Sequence, residues 1–176
     1  VAACRGGDGI GGDDGAGGGT GSADGGELEL TPEQRDEPIE FSGPTVDGDE
    51  LSSTDLLGEI TVVNFWYAGC PPCRVEASDL AALSGELTDV QFVGVNIFDD
   101  AAVASAFDEE FDIEYPSILD AKSSSVQLAF AGQVAPNAVP TTIVLDTEGR
   151  VAARISGIIR DPSILRAMIT TVQENG

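Results

Sequence analysis

The 176-residue chain contains no histidine. That excludes Cys/His zinc sites, haem ligation through histidine, and nucleophile pairs in which an imidazole activates a cysteine. Basic residues are scarce as well: eight Lys and Arg, with Lys122 the one lysine, stand against 31 Asp and Glu, for a formal charge of −23. With no basic footprint to neutralise phosphates, nucleic acid is a poor partner. No run of about 18 apolar residues occurs, so nothing in this sequence has the make-up of a membrane-spanning helix. Cysteine is limited to Cys4, Cys70 and Cys73, an odd number that leaves one outside any pair.

What is present is unevenly spread. Of 22 glycines, 12 fall between Gly6 and Gly26, in a stretch with almost no apolar side chains. That composition predicts a disordered tether over residues 1–37 and a folded domain over 38–176. Cys4, preceded by Val1-Ala2-Ala3 and followed by the glycines, resembles the lipobox of a bacterial lipoprotein. In that reading Cys4 is the lipidated first residue of the mature protein, and two or more acyl chains hold it on the membrane surface. A flexible segment from Arg5 to Glu37 would reach roughly 30 Å, enough to lift a small domain off a bilayer.

From Pro38 onward the periodicity predicts strands alternating with helices. Ile39–Phe41 and Thr45–Leu51 read as short strands about an Asp47-Gly48 turn, and Ser53–Leu57 as one helical turn. Ile60–Trp66 is apolar enough on both faces to be a central strand, with Asn64 as its polar interior position. A helix to about Leu87 follows, with Cys73, Glu76, Leu80, Leu83 and Leu87 as its inner stripe. Val90–Ile97 is the next strand. Asp99–Phe111 reads as a helix with Val103, Ala106 and Phe107 at helical spacing and its acids on a solvated face. An extended segment at Tyr115–Asp120, a short helix at Ser123–Phe130, a hairpin about the Asp146–Gly149 turn and a helix from Asp161 to about Val172 complete a mixed sheet covered on both faces.

The chemistry concentrates where the central strand ends. Cys70 and Cys73, with Pro71 and Pro72 between them, sit at the start of a helix. Two sulfurs placed so can close a small disulfide and reopen it, and helix N-terminal N–H groups stabilise the thiolate that attacks. Such a pair can also be half a zinc site, which needs a second Cys or His pair that the chain lacks. A lone dithiol can bind copper(I). Peroxidase chemistry wants Pro-x-x-x-Thr/Ser-x-x-Cys, and no such proline precedes Cys70. Glu76, one turn beyond Cys73 on the buried stripe, is expected to have a raised pKa and to hold or release a proton near neutrality.

The string Val62-Val63-Asn64-Phe65-Trp66-Tyr67-Ala68-Gly69-Cys70-Pro71-Pro72-Cys73, the later Val139-Pro140-Thr141-Thr142 and the Asp146–Gly149 turn resemble the TlpA/ResA-like branch of the thioredoxin superfamily, the redoxin domains, over about residues 38–174. The resemblance implies a thioredoxin-like α/β fold: a mixed central sheet with helices on both faces, an N-terminal β-hairpin extension and a central insertion. It implies an extracytoplasmic thiol-disulfide oxidoreductase, anchored as a lipoprotein, whose redox-active Cys70–Cys73 disulfide serves in place of a cofactor or metal. A reductase of the cytochrome c maturation type fits that branch best. Cys70 would be the exposed nucleophile, Cys73 the resolving thiol, Glu76 the buried acid, and Asn64 the residue standing where thioredoxin has a buried aspartate. Pro140 would be a cis-proline facing the disulfide, and Trp66, Pro71, Pro72, Val139, Pro140 and Thr141 would bind substrate. The implied partners are protein disulfides, apocytochrome c among them, and a membrane electron donor of the CcdA type. The alternatives are a redox-inactive or copper(I)-binding carrier and a peroxiredoxin-like antioxidant.

Overall fold

A computed structural model of the chain describes residues 26–135 and 137–176. Cys4 and most of the predicted tether lie outside the described residues. Within them the chain runs β1 (Glu27–Glu29), β2 (Ser42–Pro44), β3 (Glu50–Ser52), β4 (Ile60–Trp66), α1 (Pro71–Glu86), β5 (Val90–Asn96), α2 (Ala101–Glu110), β6 (Ser117–Leu119), α3 (Ser125–Ala129), β7 (Thr141–Leu145), β8 (Val151–Ser156) and α4 (Pro162–Asn175). Six strands form one mixed sheet in the order β1-β8-β7-β4-β5-β6, and β2 and β3 pair as a separate hairpin. β4, β5 and β6 are parallel and joined through α1 and α2, while β7, β8 and β1 are antiparallel to their neighbours. Parallel neighbours require crossover connections, and these cover the sheet faces. β4, in the middle, is therefore buried at every position.

Alternate residues of β4 enter two different cores. Val62 packs with Leu80 and Leu83 of α1 and with Leu165, Met168 and Ile169 of α4. Val63 and Phe65 pack on the opposite face with Val95, Ile118, Val126 and Phe130, the rings of Phe65 and Phe130 meeting edge-on at 5.2 Å. Burial of each such side chain stabilises the fold by roughly 1.5–3 kcal/mol. Asn64 and Trp66 share the Val62 side of the strand, so the same alternation that builds the core turns the one amide of β4 toward α1. The predicted α/β architecture is the one observed. No helix among the described residues is long and apolar enough to cross a membrane.

Several expectations are corrected. The folded part begins well before Pro38: β1 adds to the edge of β8 with Glu27 opposite Ile155, and Arg35 is buried against Asp146 at 3.0 Å, each side chain 1% exposed. An edge strand offers unpaired N–H and C=O groups, and a short segment can use them without much apolar content of its own. The first hairpin strand is Ser42–Pro44 rather than Ile39–Phe41, because Phe41 turns into the core while pairing starts at Ser42. In α2 the inner residues are Ala104 and Phe107, and Val103 is 44% exposed. Asp100, which caps α2 by accepting from the Val103 N–H, sets this phase. The acids of α2 are not all on a solvated face either: Asp108 is half-buried and its Oδ1 has no hydrogen-bond partner.

Candidate active site

β4 delivers the chain to α1 through the turn Tyr67-Ala68-Gly69. The Cys70 N–H donates to the Tyr67 carbonyl at 3.2 Å, and Cys70 is the N-cap of α1, its sulfur accepting from the Cys73 N–H at 3.3 Å. Pro71 occupies the first helical position, where its missing N–H removes nothing from the helix. Cys70 and Cys73 form a disulfide with their Cα atoms 5.2 Å apart, within the span such bonds require. The N-terminal end of α1 therefore points its free N–H groups at the sulfur of Cys70, and this favours the thiolate once the bond opens.

The oxidised pair is more enclosed than the expected exposed nucleophile. Cys70 is 2% and Cys73 3% exposed. Both belong to a cluster with Trp66, Ala77, Ala104 and Phe107, against which Tyr67, Ala68 and Val139 also pack. Their environments still differ. Cys73, not Cys70, lines a small cavity of about 10 Å³ together with Asn64, Tyr115 and Ser117. Cys73 is thus the inner sulfur and Cys70 the one at the end of the helix.

Glu76 lies one turn further along α1 and is 1% exposed. Its Oε1 accepts from Asn64 Nδ2 at 3.1 Å and its Oε2 from the Ile159 N–H at 2.8 Å. Burial pushes its carboxyl up to about 7, against the opposing pull of those two N–H donors and with a smaller push from Asp79. Asn64 also donates to Thr142 Oγ1 at 3.0 Å, which fixes the amide between α1 and β7. Asn64 thus both holds Glu76 and lines the small cavity beside Cys73.

The residues expected to bind substrate separate into two groups. Pro71 is exposed, and Pro72 and Val139 are half-buried. The Val139–Pro140 peptide is cis, and the Pro140 carbonyl accepts from the Gly157 N–H at 2.9 Å. Trp66 and Thr141 do not offer their side chains to a groove. Trp66 is buried, its indole N–H donating to Ser117 Oγ at 3.2 Å and its ring packed at a 35° tilt against Phe107, centroids 4.4 Å apart. Thr141 is buried too, and its hydroxyl donates to the Ala138 carbonyl. Both therefore support the surface from below. Cys4 lies outside the described residues.

Two braces of the site were not anticipated. Asn96, at the end of β5, accepts through Oδ1 from the N–H groups of Phe98 and Asp99, and Asp99 Oδ2 in turn accepts from the Ala68 N–H at 2.6 Å. The Asn-x-x-Asp spacing after a strand is the only sequence signal for this. Arg74 donates to the Ala68 carbonyl at 3.1 Å, pairs with Glu110 at 2.6 Å and lies over Phe111 at 5.1 Å, so it ties α1 to α2 across the turn before Cys70.

Comparison with known proteins fits this geometry. A profile of the AhpC/TSA family matches residues 35–154. The chain is 32% identical over 137 residues to the thiol:disulfide interchange protein HelX of Rhodobacter capsulatus, covering 77% of this chain and 70% of that protein. It is 27% identical over 119 residues to the thiol-disulfide oxidoreductase ResA of Bacillus subtilis, covering 66% and 64%. The chain thus spans between 64% and 70% of the length of these two relatives. The crystal structure of a secreted thiol-disulfide isomerase from Corynebacterium glutamicum superposes with a TM-score of 0.76 at 26% identity, over 86% of this chain and 95% of that one.

Proposed function

The chain belongs to the AhpC/TSA family, among its thioredoxin-like thiol-disulfide oxidoreductases, and from that premise we propose that it reduces disulfides of partner proteins outside the cytoplasm by cycling Cys70–Cys73 between dithiol and disulfide. The observation that carries this reading is the disulfide at the N-cap of α1 with a buried acid one turn behind it. In the reduced protein the Cys70 thiolate attacks a partner disulfide. One partner sulfur leaves as thiolate and takes a proton from solvent, and a Cys70–partner mixed disulfide forms. Glu76 takes the proton of Cys73, whose thiolate attacks Cys70 Sγ. The internal disulfide closes and the second partner sulfur leaves. Two electrons pass from the protein to the partner.

An extracytoplasmic setting is supported by the secreted relative and by the lipobox-like Val1-Ala2-Ala3-Cys4, through which the chain would be anchored to the membrane. The TlpA/ResA resemblance supports apocytochrome c as a substrate and a membrane donor of the CcdA type as the source of electrons. Within the AhpC/TSA family a peroxidase would need the Pro-x-x-x-Thr/Ser-x-x-Cys arrangement, which does not precede Cys70. The test is Cys73→Ser, which leaves the mixed disulfide unresolved. Expressed in cells, this variant should accumulate covalent partner adducts identifiable by mass spectrometry, and the wild type should reduce insulin disulfides. If neither occurs, while the dithiol binds copper(I) tightly, the protein is a metal carrier instead.

A further inference from the structure

Between β4 and Cys70 the chain has few large side chains to fix it: Ala68 is small, Gly69 is exposed and has none, and only Tyr67 offers a ring. Pro71 and Pro72, on the other side of Cys70, have no N–H to offer a partner. The placement of Cys70 against Cys73 therefore depends on the backbone groups of residues 67–70. One of their bonds is internal to the turn, from the Cys70 N–H to the Tyr67 carbonyl. Two others come from side chains of separate elements, and both converge on Ala68.

Asp99 Oδ2 accepts the Ala68 N–H at 2.6 Å, and Arg74 Nη1 donates to the Ala68 carbonyl at 3.1 Å. The two backbone groups belong to successive peptide planes, so the pair fixes the chain on either side of Ala68. Hydrogen bonds to an ionised partner are roughly twice as strong as neutral ones. Each side of the grip is itself anchored. Asp99 Oδ2 also accepts from Asn96 Nδ2 at 3.0 Å, the Asp99 N–H donates to Asn96 Oδ1 at 2.7 Å, and Asn96 is fully buried at the end of β5, opposite Trp66. Arg74 Nη2 pairs with Glu110 at the end of α2 at 2.6 Å, and its guanidinium lies 5.6 and 5.1 Å from the ring centres of Phe107 and Phe111. Arg74 directly follows Cys73, whereas Ala68 precedes Cys70, so this side chain closes a loop of chain with both cysteines inside it.

We propose that Asp99 and Arg74 are positioning residues for the redox pair: by gripping Ala68 from both sides they hold Cys70 where its sulfur meets that of Cys73, and so favour the disulfide over the open dithiol. This rests on the exchange reading above. Closing the bond costs the freedom of the segments that carry the two sulfurs, and a segment already fixed has less to lose. Cys73 is fixed by α1, while Cys70, at the N-cap, is fixed by the turn to which Ala68 belongs. When glutathione disulfide oxidises the pair, the Cys70–Cys73 bond forms and two electrons pass to the glutathione disulfide. Its two sulfurs leave with the two thiol protons as reduced glutathione. Asp99 and Arg74 exchange neither protons nor electrons in this reaction; they act on how readily the two sulfurs meet.

The test uses the full chain equilibrated with reduced and oxidised glutathione, the oxidised fraction being read by thiol alkylation and mass spectrometry. Arg74→Met and Asp99→Ala should each lower the equilibrium constant for disulfide formation on the order of tenfold, the worth of roughly one residue's backbone freedom. That fold-change raises the reduction potential by about 30 mV. The double variant should show little more than either single one, because releasing one side already frees Ala68. Asp99→Asn, whose amide oxygen can still accept the Ala68 N–H, should stay close to wild type. A loss of stability shared by the oxidised and reduced forms cancels in this constant. Charge alone would shift the two single variants in opposite directions, since one loses an anion and the other a cation. That result overturns the proposal, as do wild-type constants in both variants, effects that add in full, or an Asp99→Asn variant as impaired as Asp99→Ala. A wild type that does not exchange with glutathione at all would instead remove the exchange reading itself.

Discussion

Glu76→Gln removes the charge of the buried carboxyl while keeping its shape. In the folded protein, burial raises this carboxyl to about 7 from an ordinary 4.5. A folded-state value above the unfolded one means that the folded protein holds the proton more tightly. The stabilisation from this group is full below pH 4.5 and is lost as pH rises through about 7. With 1.36 kcal/mol for each pH unit, the whole swing is about 3 kcal/mol, of which about 2.5 kcal/mol falls between pH 5 and pH 8. A glutamine does not titrate. Its amide can accept from only one of the two donors, Asn64 or Ile159, and its own NH₂ then faces the other, at a cost of about 1–3 kcal/mol that does not change with pH. Urea unfolding of the oxidised proteins across this pH range separates the two effects. The stability of wild type minus variant should fall by about 2.5 kcal/mol from the acidic to the alkaline end, and the other acids of the chain cancel in that difference. A difference that is flat with pH would refute the assignment of Glu76 as a titrating buried acid.

Asn64→Ala removes an N–H that holds the Glu76 carboxyl down, so the carboxyl should rise further above about 7 and the pH profile of Cys73 alkylation in the reduced protein should move with it. An unmoved profile would disconnect Asn64 and Glu76 from Cys73. Arg35→Met leaves Asp146 with Arg150 and two backbone N–H groups and should cost about 3 kcal/mol, the low end for a broken buried pair. Calorimetry should show Tm lower by roughly 6–12 °C at that size, and a chain started at Pro38, which also lacks β1, should lose at least as much. Gly94→Ala would place a Cβ 2.1 Å from Ser117 Oγ and 2.8 Å from Trp66 Nε1, so urea unfolding should show a loss of about 1–3 kcal/mol or more.

The elements around the dithiol were legible because their signals are local. Ile60–Trp66 is apolar over a strand's length, Asp161-Pro162 is an N-cap followed by proline, and Cys73, Glu76, Leu80 and Leu83 repeat at helical spacing; β4, α4 and α1 are found at those places. Weak local signals leave an element's phase or existence open. α2 is rich in alanine and has only Val103 and Phe107 as large apolar side chains, so its phase is ambiguous and Val103 reads as inner where Ala104 is. β1 has three residues and lies next to a glycine-rich segment, and its pairing partner is β8, far along the chain. Trp66 and Thr141 lie next to the site in sequence, yet strand alternation and the Ser117 and Ala138 hydrogen bonds turn their polar groups away from the surface.

The sequence by itself determined that a redox-capable dithiol would stand at a strand-to-helix junction and that a carboxylate would lie on the buried stripe one turn later, since both follow from periodicity within about 20 residues. Only the tertiary structure decided what those groups experience. The donors to Glu76 come from 12 and 83 residues away, the salt bridge that anchors Arg35 spans 111 residues, and the bond from Trp66 to Ser117 spans 51. Desolvation of Glu76 and enclosure of Cys70 are properties of side chains brought together from separate elements. Local pattern does not encode them, because a pKa or an accessible path depends on everything within a few ångströms rather than on neighbours in the chain.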